Sequence, residues 1–237
     1  MKTAVSVPTT EGFTRTVQIR SGNNCMIADW VMPPDATGVV LFAHGSGSGR
    51  HSTRNRAVAL YLQSRGMGTL LLDLLTADEE RVDMETAQYR FDIPLLTCRL
   101  VEATRWIQSR QESFDLPLGY FGASTGAAAA LAAAAELPGE IASVVSRGGR
   151  PDLAGDALPH VTAPTLLLVG GEDEVVIDLN RRAMHSLRCR NQLKIIPGAT
   201  HLFKEPGKLE QVALKAADWF LAHGMEGLHH TKEGSRS

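Results

Sequence analysis

The sequence predicts an α/β fold in which a doubly wound, mostly parallel sheet carries helices on both faces. Short, uninterrupted apolar runs recur along the chain, as they do in strands buried on both faces of a parallel sheet. Helical patterns of suitable length separate these runs and predict repeated β-α-β units. Two β-rich runs joined by a turn-like segment come first and predict an antiparallel hairpin.

The predicted elements follow in chain order. The hairpin consists of 15–20 and 26–31 around a turn at 21–24. The apolar runs that predict parallel strands are 39–43, 69–72, 118–121, 141–145, 165–169 and 193–196. The predicted helices are 53–65, 89–110, 125–136, 178–187 and 208–222, and the acidic stretch 77–88 is expected to be a surface excursion.

Length and charge predict one domain whose partner is a small molecule. The chain has 237 residues, of which 43% are hydrophobic, and a formal net charge of -2. It can therefore bury a full core, and its charge gives no reason to expect nucleic acid or a membrane as partner. We expect a domain at 15–223, an N-terminal extension at 1–14 and a disordered tail at 224–237, in which His229 and His230 are solvated.

Cysteine usage and hydropathy predict a soluble, cytoplasmic protein. The three cysteines are widely spaced and include no CxxC pair, so neither a disulfide framework nor a zinc site is expected. The first residues lack the apolar region of a signal peptide, and no run of about 18 apolar residues occurs.

Ser124 is the candidate nucleophile. It lies in a GxSxG pattern, between Gly122 and Gly126, where a predicted strand meets a predicted helix rich in alanine. In that context GxSxG forms a strained turn that exposes the serine hydroxyl. The same pattern also occurs in ordinary tight turns, and the alanines are explained by close packing alone. A serine nucleophile additionally needs a base and a group that orients the base.

The loop after the strand 39–43 is the candidate second half of an oxyanion hole. An oxyanion hole needs two backbone donors, one from the residue after the nucleophile and one from an earlier loop. We expect the Thr125 amide to supply the first donor and the Ser46 amide, in the run HGSGSG, the second. The alternative, a phosphate-binding loop, lacks the full GxGxxG spacing and any GK[ST]. His44 is expected to hold this loop or to line the substrate pocket.

The acid and the base are expected downstream, each directly after a predicted strand. Asp173 follows 165–169 and His201 follows 193–196, so both fall at the edge of the sheet where Ser124 lies. Alternatives remain for each: Asp173 also suits a helix cap, Glu172 or Glu174 could replace it, and His185 is a competing base inside a predicted helix. The order serine, acid, histidine is that of an α/β hydrolase.

With these motifs, the chain resembles the α/β-hydrolase superfamily, and within it the dienelactone-hydrolase-like esterases, over about 15–222. The resemblance implies that Ser124 attacks an acyl carbon, His201 moves the proton, Asp173 orients the imidazole and no metal or organic cofactor is needed. About 20 residues separate the strands 141–145 and 165–169, too few for the helical cap of many relatives. One departure is clear: dienelactone hydrolases proper have cysteine at the position that corresponds to Ser124.

The expected function is therefore hydrolysis of carboxylic esters of small acyl groups by a serine esterase. Acyl transfer or thioester hydrolysis on the same triad, and a non-catalytic binding domain, are the alternatives. Arg147 follows a predicted strand and either holds an anionic group of the substrate or pairs with Asp152 or Asp73. The sequence favours the ion pair, since charged groups near a sheet edge are usually paired; Arg50 and Arg54 share this ambiguity.

Overall fold

The computed structural model describes residues 11–22 and 24–225. Residues 1–10 of the predicted extension and 226–237 of the predicted tail, with His229 and His230, lie outside the described residues. No helix of the described part is long and apolar enough to cross a membrane.

Eight strands within the described ranges form one sheet. They are β1 (Phe13–Ser21), β2 (Asn24–Met32), β3 (Val39–Ala43), β4 (Gly68–Leu72), β5 (Leu118–Ala123), β6 (Ile141–Arg147), β7 (Thr165–Gly170) and β8 (Asn191–Ile196). Their order across the sheet is β1-β2-β4-β3-β5-β6-β7-β8. β2 pairs antiparallel with β1 and with β4, and all other neighbours are parallel. The predicted fold class, with its N-terminal hairpin, is confirmed.

The described residues form six α-helices, of which five lie between strands and the last follows β8. They are α1 (Thr53–Ser64), α2 (Ala77–Thr86), α3 (Ile93–Gln108), α4 (Thr125–Glu136), α5 (Glu174–Ser186) and α6 (Lys208–Ala222). The connection between β6 and β7 is a short 3-10 segment, Pro151–His160. No large cap domain covers the sheet edge in the described part of the chain.

The sheet separates two apolar layers, because alternate side chains of each strand point to opposite faces. In β3, Val39 and Leu41 join the core layer under α3 and α4, whereas Val40 and Phe42 join the layer under α1 and α6. All five residues of β3 are buried. Burial on both faces explains why the central strands have uninterrupted apolar sequences.

The stretch 77–88 lies at the surface as expected, but most of it forms a helix that was not predicted, and the helix predicted at 89–110 begins later. Residues 77–86 form α2, whose start is fixed by a reciprocal cap: the Thr76 hydroxyl accepts from the Glu79 amide, and the Glu79 carboxylate accepts from the Thr76 amide. This T-x-x-E pattern is a helix-start signal that is visible in the sequence. α3 begins after a second cap at Asp92, whose carboxylate accepts from the Leu95 amide.

Thr76→Ala is expected to lower the free energy of unfolding by about 1 kcal/mol, the usual cost of a lost N-cap. Urea unfolding of the whole chain measures it. Glu85→Ala, an exposed change near the other end of α2, is the matched control and is expected to stay within about 0.5 kcal/mol of wild type. Equal stability of both variants would show that the cap contributes nothing to the fold.

Candidate active site

Ser124 lies in a strained turn between β5 and α4. Its φ of 52° and ψ of -121° are in a region that non-glycine residues rarely occupy, and such strain persists only where the surroundings fix it. Here the Ser124 amide donates to the Arg147 carbonyl at 3.2 Å, and the Ser124 carbonyl accepts from the Arg150 amide at 3.0 Å. The end of β6 and the residues after it therefore hold the serine in place.

The glycines of GxSxG are required by close packing. A Cβ atom on Gly122 would lie 2.4 Å from the Cα of Ala127, and one on Gly126 would lie 2.3 Å from the Ala43 carbonyl oxygen. Neither distance is possible, so α4 approaches β3 and β5 this closely only because both positions lack a side chain. The buried alanines of α4 allow the same approach along the rest of the helix.

His44 joins the loop after β3 to the end of β4. Its Nε2 accepts from the Leu74 amide at 3.0 Å, which leaves Nδ1 as the protonated nitrogen, 2.9 Å from the Gly45 carbonyl oxygen. Burial lowers the pKa of His44, so the ring is neutral at pH 7. Through these two contacts the ring joins the loop after β3 to the Leu74 backbone.

Two backbone amides are available beside Ser124. Ser46 lies in the loop after β3, and Thr125 is the first residue of α4. Within the described residues neither amide donates to a protein acceptor, and both residues line one pocket with Gly45. The first amides of a helix are unpaired in this way and attract negative charge.

His201 and Asp173 meet at the same edge of the sheet. The His201 Nδ1 lies 2.6 Å from Asp173 Oδ2. Backbone hydrogen bonds join their loops. The Gly171 amide donates to the Ile196 carbonyl oxygen at 2.8 Å, and the Glu172 amide donates to the Ala199 carbonyl oxygen at 3.0 Å. The Asp173 side chain makes no cap bond to α5, so its carboxylate serves the histidine rather than the helix.

The competing acids and base lie elsewhere. Glu172 and Glu174 are exposed. His185 is exposed on α5, where its Nδ1 lies 2.6 Å from the Arg181 carbonyl oxygen. The structure therefore brings together Ser124, Asp173 and His201, and none of these three alternatives.

Ser124 and His201 line a pocket that we call the arginine pocket. It has a volume of about 240 Å³, and its other lining residues are Gly45, Ser46, Ser48, Ser52, Arg54, Asn55, Ala123, Arg147 and Leu202. The hydrogen bonds of the described residues include none between Ser124 and His201. Catalytic bonds are often long before substrate binds, so this arrangement remains compatible with proton transfer.

A second pocket, which we call the α2 pocket, shares Gly45, Ser46 and Ser48 of the loop after β3 with the arginine pocket. Ser46 and Thr125 reach it, and α2 and α3 complete its wall. Its further lining includes Leu75, Glu80, Asp83, Met84 and Leu96. This wall was not predicted, because 77–88 was expected to be a surface excursion and not a helix that lines a pocket.

The expected ion pair of Arg147 with Asp152 or Asp73 is wrong. Both carboxylates have other partners: Asp152 pairs with Arg150 at 2.8 Å, and Asp73 pairs with Arg50. The Arg147 side chain, on a residue only 6% exposed, donates instead to Asn55 Oδ1 at 3.2 Å, and its Nε has no partner. Asn55, which the sequence analysis did not single out, is thus part of this site.

A doubly wound sheet, a serine in a strained strand-to-helix turn and a histidine–aspartate pair at later strand ends together define a protein of the α/β-hydrolase fold. The chain belongs to the dienelactone hydrolase family, whose model matches residues 37–223. The resemblance stated from the sequence is thereby confirmed.

Known proteins agree with this placement. Dienelactone hydrolase from Anabaena variabilis is 53% identical, with a TM-score of 0.88 over 90% of this chain and 99% of that one. Est1E from Butyrivibrio proteoclasticus has the same fold at 17% identity and a TM-score of 0.74, over 88% of this chain and 98% of that one. Two Mycobacterium tuberculosis proteins, provisionally named phosphoribosyl transferases, are 54% identical over 207 residues, 87% of this chain and 46% of theirs. The chain thus spans about half the length of these curated relatives.

Proposed function

We propose that this protein is a serine esterase that hydrolyses carboxylic esters of small acyl groups through an acyl-enzyme intermediate. The observation that carries the proposal is the contact of His201 with Asp173 in a site whose pocket His201 shares with Ser124. Family membership supports hydrolysis. Because Ser124 stands where dienelactone hydrolases proper have cysteine, ordinary esters are favoured over dienelactone as substrates.

The roles follow from the positions. Ser124 attacks the acyl carbon while His201 Nε2 takes its proton, and Asp173 keeps the other ring nitrogen protonated. The Ser46 and Thr125 amides stabilise the oxyanion. His201 then gives the proton to the leaving alcohol, and water releases the acid by the same steps. No metal or organic cofactor takes part in this scheme.

The Mycobacterium tuberculosis relatives, whose names give a transferase activity, are about twice as long as this chain. We propose ester hydrolysis for this chain because it contains Ser124, His201 and Asp173 at one edge of its sheet. The free thiols of the described residues are consistent with the cytoplasmic location expected from the sequence.

Covalent labelling tests the proposal. A fluorophosphonate probe is expected to add one equivalent to the wild-type protein, on the tryptic peptide that contains Ser124, as read by mass spectrometry. Ser124→Ala should take up none. Wild-type protein that stays unlabelled at Ser124 would contradict an activated serine and favour the non-catalytic alternative.

A further inference from the structure

The arginine pocket contains two positive charges that the protein does not neutralise. Arg147 and Arg54 line it, and no acidic residue is among its lining residues. Neither arginine forms an ion pair with a carboxylate of the described residues, and each has a buried Nε without a partner. Buried charges in proteins are normally paired, so the partner that suits this pocket is an anionic group of a ligand.

The two guanidinium groups also interact unfavourably with each other. Burial, and then the charge of Arg54, lower the pKa of Arg147 to about 10. The arginine still carries its charge at pH 7. Two like charges beside the nucleophile are a cost to the free protein that a bound anion removes.

The other donors of the pocket suit an anion with several oxygens. Ser46, Ser48 and Ser52 contribute hydroxyl groups to its wall. Two guanidinium groups and these hydroxyls exceed what one carboxylate accepts, whereas a phosphate monoester has three terminal oxygens and up to two negative charges. A phosphate group matches both the charge and the donors.

The α2 pocket does not offer an anion the same environment. Its lining includes Asp73, Glu80 and Asp83, of which Asp73 is paired with Arg50 and Asp83 with Arg90. It also has the apolar side chains of Leu75, Met84 and Leu96. Acidic and apolar groups favour a neutral, apolar part of a substrate over a negatively charged one.

The position of His201 decides which part of an ester enters which pocket. His201 lines the arginine pocket and not the α2 pocket. In an esterase the histidine must reach the oxygen of the leaving alcohol, so the alcohol part extends into the arginine pocket and the acyl part into the α2 pocket.

We propose that the substrate is a carboxylic ester whose alcohol part carries a phosphate group, held by Arg147 and Arg54 on the His201 side of Ser124. The proposal rests on the esterase function proposed above. Ser124 Oγ bonds to the acyl carbon as the carbon–oxygen bond to the phosphorylated alcohol breaks, and the leaving oxygen takes the proton from His201. Water then hydrolyses the acyl-enzyme. The phosphate ester bond stays intact.

Four acyl esters test the inference on the full chain. They are 2-acetoxyethyl phosphate, neutral 2-acetoxyethanol, 4-acetoxybutyrate with a carboxylate on its alcohol part, and monoethyl succinate with a carboxylate on its acyl part. The phosphorylated ester is expected to have a kcat/KM about 10²-fold above the neutral one, from two charge-assisted contacts. The carboxylate on the alcohol side should gain less, and the carboxylate on the acyl side nothing.

Variants connect the preference to the pocket. Arg147→Met and Arg54→Met are each expected to remove at least about tenfold of the preference for the phosphorylated ester, through KM. Arg150→Met, whose guanidinium is paired with Asp152, is the matched control and should keep the preference. Any one of four results would overturn the inference. Two concern the esters: equal turnover of the neutral and phosphorylated esters, or a gain from the carboxylate on the alcohol side equal to that from the phosphate. The other two are an undiminished preference in both arginine variants and release of inorganic phosphate.

Binding separates this inference from the esterase proposal. Calorimetry of Ser124→Ala with 2-hydroxyethyl phosphate, the alcohol product, is expected to show binding that Arg147→Met in the same background weakens at least about tenfold. Binding without ester turnover in wild type would refute the esterase and leave the phosphate site standing. Turnover of neutral esters without binding of the phosphate would refute the phosphate site alone.

Discussion

Ser124→Ala is expected to hydrolyse p-nitrophenyl acetate with a kcat at least about 10⁴-fold below that of wild type, because the change removes the hydroxyl that forms the acyl-enzyme. His201→Ala should fall as far. Since the two side chains act in one step, the double variant should be no slower than either single variant. Initial rates at saturating substrate, corrected for spontaneous hydrolysis, measure all three.

His185→Ala is the matched control for the base, since it removes an exposed histidine on α5 that has no part in the pocket. It should keep the wild-type rate. If His185→Ala loses activity while His201→Ala keeps it, the base has been assigned to the wrong histidine. If the losses of Ser124→Ala and His201→Ala add in the double variant, the two residues do not act together.

The central strands and the meeting of His201 with Asp173 could be predicted because their causes are local. Strands buried on both faces, such as β3 and β7, have continuous apolar sequences, and residues directly after parallel strands fall at one edge of the sheet. Because Ser124, Asp173 and His201 each follow a predicted parallel strand, they could be placed at that edge from the sequence. Their chemical roles remain a proposal.

Other features depend on long-range contacts that no pattern shows. Whether Arg147 finds a carboxylate depends on where Asp73 and Asp152 point, and both are taken by Arg50 and Arg150. Asn55, 92 positions away along the chain, contacts Arg147 only because α1 lies beside the end of β6. Helix α2, which was not predicted, differs from these cases because its cause is local. Its capping residues Thr76 and Glu79 are visible in the sequence.

Arg147→Met is expected to raise the free energy of unfolding of the ligand-free protein by about 1–3 kcal/mol, because it replaces a buried, unpaired charge with an apolar side chain of similar length. The lowered pKa of Arg147 agrees with this expected gain in stability. It shows that the fold disfavours the charged form, which is present at every pH below about 10. Urea unfolding measures the gain. Arg150→Met, which loses a partly exposed ion pair, should instead lower stability by at most about 1 kcal/mol.

The stability advantage of Arg147→Met over wild type should shrink when phosphate is present. A ligand that binds only the folded protein stabilises it by RT ln(1 + [L]/Kd), about 2.7 kcal/mol at 100 times Kd. At 100 times the wild-type Kd, 2-hydroxyethyl phosphate is therefore expected to raise the Tm of wild type, and to stabilise Arg147→Met, with a Kd about tenfold higher, by only about 1.4 kcal/mol. A loss of several kcal/mol in Arg147→Met without ligand would mean that its charge is already compensated inside the protein, and that Arg147 serves the fold. A gain without ligand that shrinks when the ligand is added would mean that Arg147 is retained for the anion it binds, at the expense of stability.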